Sequence, residues 1–164
     1  MDLARCKNDT QRGHIHNIEE FGVSILSVAP RVNEEGNFWT YSIGFWQQYR
    51  HPEVIIIGLG SKTAAGMINE MNWRIRDQGE SFRDGTSSSD LLSGDYMCYL
   101  QSVEPANYND FVTGNSWFYG DDTFPLVQVI WPDMDRTYPW QENADPDFVS
   151  CQPLLCALPK RALE

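Results

Sequence analysis

The sequence predicts an α+β domain: a mainly antiparallel sheet, one long helix packed on a face, and an irregular proline-rich C-terminal segment. Three observations carry this. The segments run strand, strand, strand, helix, strand, strand, without the strict alternation that a doubly wound sheet requires. Only the stretch from Ser61 to Gly79 repeats apolar residues clearly at helical spacing. From Trp131 onward, Pro132, Pro139, Pro146, Pro153 and Pro159 exclude long regular elements, because proline lacks the amide donor that helices and inner strands need.

Taken in order, residues from about Asn8 to Glu20 suit a short polar helix with Asn8 or Asp9 as its cap. A strand follows at Phe21 to Ala29, where Val23, Ile25 and Leu26 to Val28 alternate imperfectly before Pro30. Asn33-Glu34-Glu35-Gly36-Asn37 is turn material, short enough to join that strand to Phe38–Trp46 as an antiparallel hairpin. Val54 to Leu59 is a continuous, β-branched apolar run, the pattern of a central strand covered on both faces. In the helix that follows, Ser61 is the expected cap, Ala64, Ile68, Met71 and Ile75 share a face, and Gly79 ends it. Gly79 to Gly94 is polar and rich in glycine and serine, which predicts a surface loop with one helical turn near Asp90–Leu92. Tyr96–Val103 and Phe124–Trp131 read as two further strands, with a short helix around Pro105–Phe111.

A chain of 164 residues fits one domain, 1–164, with one core. No apolar run approaches the ~18 residues of a membrane-spanning helix. The polar start, MDLARCKNDTQRGHIHNIEE, lacks the apolar centre of a secretory signal, so a cytoplasmic setting is expected, with Cys6, Cys98, Cys151 and Cys156 as thiols. Twelve Lys and Arg against 23 Asp and Glu leave a net charge of −11. That argues against nucleic acid, which demands a basic patch to displace counterions, and against anionic membranes. It suits steering of a basic protein partner, or simple solubility.

The chemistry-bearing constellations are few. Gly58-Leu59-Gly60-Ser61-Lys62-Thr63 sits between strand and helix, but Ser61 separates the glycine from the lysine, so it fails as a phosphate loop and reads as a tight turn. Cys6, His14 and His16 near one end, with Cys151 and Cys156 near the other, lack zinc-site spacing, and no metal or cofactor is expected. His51-Pro52-Glu53 could supply an acid and a base, and with Tyr41 could line a cleft. Its place just before a buried strand equally suits a structural task, and no nucleophile motif accompanies it. Trp117 and Trp140, each flanked by polar residues, are candidate interface anchors. Asp121, Asp122, Asp133, Asp135, Glu142, Asp145 and Asp147 concentrate acid in the last third, and from Asp121 to Asp147 the one base is Arg136. The calcium-loop spacing is absent, so a solvated or protein-binding face is the expectation.

Across roughly Phe21 to Leu155, an ordered set of segments resembles a bacterial family numbered 4262 among the domains of unknown function. The segments are Tyr41-Ser42-Ile43-Gly44, His51-Pro52-Glu53, Gly58-Leu59, Asn69, Gln128 with Trp131-Pro132-Asp133, Pro139-Trp140, and Gln152-Pro153-Leu154-Leu155. Phe45-Trp46 and Met134-Asp135-Arg136-Thr137 depart from the pattern, which more often has Leu at the first place and a Gly in the second. The resemblance brings no established reaction. It is similar in type to small acidic immunity proteins, which with the charge gives the functional expectation: a protein-binding module neutralising a basic bacterial toxin. The alternative is a small-molecule-binding protein or enzyme with a cleft around Tyr41, His51 and Glu53.

Overall fold

The computed structural model describes residues 3–157; Pro159 lies outside them. A 3-10 turn, Leu3–Arg5, leads into helix α1 (Asp9–Phe21). Asn8 caps α1 as expected, accepting from the Gln11 amide at 2.9 Å, and Gly22 closes it in the left-handed region. Strands β1 (Ser24–Val28) and β2 (Trp39–Ile43) then form the antiparallel hairpin that the sequence predicts. β2 is shorter than the apolar stretch suggested. Gly44, at φ 117°, turns the chain, and Phe45–Tyr49 becomes a five-residue helix, α2.

Strand β3 (Glu53–Ile57) is buried along its whole length. Helix α3 (Ser61–Gln78) follows and ends at Gly79, but Gly60 occupies the cap position and Ser61 is already helical. The extended backbone of Gly60 and its carbonyl, which accepts from the Ala64 amide at 3.0 Å, start the helix one residue earlier than expected. Within the predicted surface loop the structure has a strand instead, β4 (Ser87–Leu92), paired antiparallel with β5 (Tyr96–Ser102) through an irregular register. After a 3-10 turn at Pro105–Asn107 come two short helices, α4 (Tyr108–Phe111) and α5 (Thr113–Tyr119), then β6 (Leu126–Ile130) and α6 (Pro146–Cys151).

The six strands form one sheet in the order β1-β2-β3-β6-β5-β4, antiparallel throughout except where β3 and β6 run side by side in parallel. The expected α+β class, mainly antiparallel sheet and long helix are all present. Side-chain alternation along β3 divides the core. Val54 and Ile56 join Ala64, Ile68, Met71, Leu100, Val127 and Val129 on the α3 side. Ile55 and Ile57 join Ile18, Tyr41, Val112, Phe124 and Leu126 on the other. Each of the four aliphatic side chains from Val54 to Ile57 is fully buried, a contribution of about 1.5–3 kcal/mol apiece. The second face is covered by α1, α4 and α5, which places α5 directly over the start of β3.

Candidate functional site

Glu53 opens the buried strand, and its carboxyl is completely excluded from solvent. Four donors from three elements converge on it. Oε1 accepts from the Gly44 amide at 2.8 Å, the Trp46 amide at 3.3 Å and the Tyr119 hydroxyl, while Oε2 accepts from the Ser42 hydroxyl. Gly44 and Trp46 offer their amides because the first turn of a helix has no intrahelical partner for them. The Ser42 hydroxyl also accepts from the Val54 amide at 2.9 Å, just where the β2–β3 pairing ends at Tyr41 opposite Ile55. Burial pushes the Glu53 carboxyl above its ordinary value, and the four donors pull part of the way back. Burial also raises Tyr119, with the neighbouring carboxyl adding to the effect.

Tyr41 shares the same roof. Its hydroxyl accepts from the Gly114 amide of α5 at 3.1 Å, and burial lifts its pKa to about 12. Asn115, fully buried on the same helix, donates to the Ser42 carbonyl at 3.0 Å. Tyr41 and Glu53 are thus brought together beneath α5.

His51 is not. Its ring packs against Phe45 and Phe82, on the α3 side of the sheet. Nε2 accepts from the Phe82 amide at 2.8 Å, so the proton resides on Nδ1, which donates to the Pro52 carbonyl at 2.7 Å. Burial lowers its pKa to about 4. The ring forms part of a cleft of about 290 Å³ with Tyr49, Ile75, Gly79, Glu80, Ser81 and Arg83, but both nitrogens are already committed to the backbone. The His51-Pro52-Glu53 tripeptide therefore divides between two cores: the imidazole pins the segment before β4, and the carboxyl pins α2 and α5.

The acidic residues separate in a comparable way. Glu53 pairs with Leu126 at the start of β6, so Trp117, Asp121 and Asp122 lie at the Glu53 end of that strand, and Asp133, Asp135 and Trp140 lie beyond its other end. Several have local tasks. Asp121 accepts from Thr123, Asp122 from the Ser116 hydroxyl, and Asp145 caps α6 through the Asp147 and Phe148 amides. Asp133 closes the loop after β6, accepting from the Asp135 and Thr137 amides at 2.9 and 2.8 Å. Trp140 stacks on Tyr138, with centroids 4.6 Å apart, and both meet Tyr99 edge-on. Trp117 lies near His14, and its indole nitrogen is buried without a hydrogen-bond partner among the described residues.

The sequence does not single out Ser42 and Asn115 as site residues. The available signal was a serine in the mainly apolar run Trp39–Ile43 and a glutamate heading the run Val54–Ile57, since a buried polar group must find partners. Among the described residues, no three His, Cys, Asp or Glu side chains form a metal-ligand set, and no helix is long and apolar enough to cross a membrane.

A family model described as Domain of unknown function (DUF4262) matches residues 17–145. The match begins slightly before the recognised segments and stops short of Gln152-Pro153-Leu154-Leu155. Comparison with curated proteins and with solved structures returned no match. With roughly four-fifths of its length inside that model, the chain belongs to the DUF4262 family.

Proposed function

We propose that this chain is an acidic protein-binding module for a basic protein partner, with toxin neutralisation in a bacterial cytoplasm as its specific form. One observation carries the reading: the carboxylates of the last third have no cationic partner among the described residues. The described ion pairs involve Asp9, Glu20, Asp77, Glu80 and Asp90, all from the first two-thirds. Arg136, the one base among the acids, is directed elsewhere. Its guanidinium donates to the Asp95 and Gly94 carbonyls and lies over the Tyr96 ring. The loop so anchored holds Met134 88% exposed between Asp133 and Asp135, close in sequence to the stacked Tyr138 and Trp140. Unneutralised carboxylates around an apolar side chain favour a partner that brings lysine or arginine to the rim of an apolar hollow.

Co-expression with the product of the neighbouring reading frame, followed by capture at low salt, tests this. Retention of a basic protein that high salt releases supports the proposal. Recovery of a small molecule or metal with no protein partner overturns it. The second reading, a small-molecule site or enzyme, draws on the placement of Tyr41 and Glu53 beneath one helix. It requires α5 to lift, because Glu53 has no exposed surface in the closed arrangement.

A further inference from the structure

We propose that α5 is a flap whose closure over the sheet is governed by the proton on Glu53. Two independent features of the α5 contact point to this. The first is a buried carboxyl with no countercharge. The groups that face it are the Ser42 hydroxyl from β2, the Gly44 and Trp46 amides from α2, and the Tyr119 hydroxyl from α5. Tyr119 is the one titratable side chain among them, and among the described residues no lysine, arginine or histidine contributes. His51, two residues away, bonds to Pro52 and Phe82 instead. An ionised carboxylate in this position has donors but no cation, and hydration relieves it.

The second feature is on α5 itself. Asn115 Oδ1 and Trp117 Nε1 are buried without hydrogen-bond partners among the described residues. Buried unpaired polar atoms destabilise the closed arrangement, and lifting the helix exposes both to water. Polar ties between α5 and the sheet include the Gly114–Tyr41, Asn115–Ser42 and Tyr119–Glu53 hydrogen bonds.

The neutral carboxyl suits closure. With its proton on Oε2 it donates to the Ser42 hydroxyl, while Oε1 keeps its three donors. Loss of that proton leaves a buried charge that has donors but no cation under α5, and shifts the flap toward opening. Opening uncovers Ser42, Glu53 and the Tyr41 and Tyr119 hydroxyls as one polar recess. This inference is independent of the protein-binding proposal, and its test uses no partner.

The experiment is amide exchange of the full chain from pH 4.5 to 8, corrected for intrinsic exchange, with α3 as internal reference. Protection across Thr113–Tyr119 is expected to fall about tenfold per pH unit above the ordinary glutamate value, then level off where closed-state Glu53 has ionised. α3, on the other face, should show no such fall as pH rises. Glu53→Gln, which mimics the neutral acid, should keep α5 protected at all pH values. Flat α5 protection in the natural chain, or an unchanged slope in Glu53→Gln, overturns the proposal. If that variant does not fold, a carbon-13 titration of the Glu53 carboxyl replaces it. A midpoint shared with the levelling-off supports the proposal, and a different midpoint overturns it.

Discussion

Gln128 and Gln152 clasp the C-terminal segment to β6 from opposite sides. Gln152 brackets a single residue of the strand end, accepting from the Trp131 amide at 3.0 Å and donating to the Trp131 carbonyl at 2.8 Å. Gln128 in β6 brackets the tail in return, donating to the Pro153 carbonyl and accepting from the Leu155 amide, both at 2.9 Å. Both side chains are fully buried. A primary amide carries a donor and an acceptor side by side, so each glutamine substitutes for one rung of a β-ladder. In this way a proline-rich tail attaches to a sheet without forming a strand.

The first prediction concerns that clasp. Gln152→Ala leaves the amide and carbonyl of Trp131 without partners, and about 2–4 kcal/mol of unfolding free energy should be lost. Urea unfolding followed by tryptophan fluorescence measures it. A loss below about 0.5 kcal/mol means that water replaces the side chain and the clasp adds little.

Gly58→Ala provides the second. The residue sits at φ +86°, and a Cβ there comes within 2.5 Å of the Cys151 carbonyl oxygen and 3.2 Å of the Trp131 ring. Left-handed strain and a clash with backbone act together, at a cost of about 2–4 kcal/mol. Gly79→Ala is the control. It has a similar positive φ with nothing within 4 Å, so strain alone acts there. Equal losses at the two positions show that the Cys151 approach is unimportant.

How far the fold was legible follows from where local signals agreed with the tertiary outcome. The apolar run Val54–Ile57 of β3, the periodic α3 and the Asn8 cap were readable because propensity, pattern and burial coincide there. β4 was not, because Ser87-Ser88-Ser89-Asp90 has a loop composition and becomes a strand only through pairing with β5. Phe45–Tyr49 carries aromatic residues suited to a strand, and only the Gly44 turn together with Glu53 beneath the first amides makes it helical. Tyr41 and Glu53 were legible as candidates, yet their shared position under α5 depends on Gly114 and Tyr119, more than 60 residues away in sequence.

The third prediction is a pH effect at His51. Its value near 4 lies below the ordinary 6.5, so the fold prefers the neutral ring that accepts from Phe82. That contribution is complete above pH 6.5 and is lost as pH falls toward 4, by about 3 kcal/mol in all. Glu53 acts with the opposite sign, because its raised value withdraws stability as pH rises above 4.5. Comparing His51→Gln with the natural chain at several pH values separates the two. The variant should lose the acid-side slope and keep the other. A retained acid-side slope assigns the acid sensitivity to a different group.

The last prediction uses the two ends of β6. Asp121 and Asp122 lie at its start, and Asp133 and Asp135 beyond its end. A partner seated on the Met134 loop therefore meets one pair and not the other. Asp133 is half-buried and closes its loop, so Asp135→Asn with Glu142→Gln is the cleaner neutralisation at that end. It should slow association several-fold and reduce the salt dependence, since rim charges act mainly on encounter. Asp121→Asn with Asp122→Asn should change association less, because that pair acts only through long-range potential, which is screened beyond about 8–10 Å. Trp140→Ala acts differently: if its ring is an anchor, dissociation accelerates at nearly constant association rate, with a loss of about 2 kcal/mol or more. Equal effects from the two charge pairs mean that net charge alone steers the encounter. A larger effect from Asp121 and Asp122 moves the interface to the α5 end of the sheet, where Trp117 replaces Trp140 as the candidate anchor.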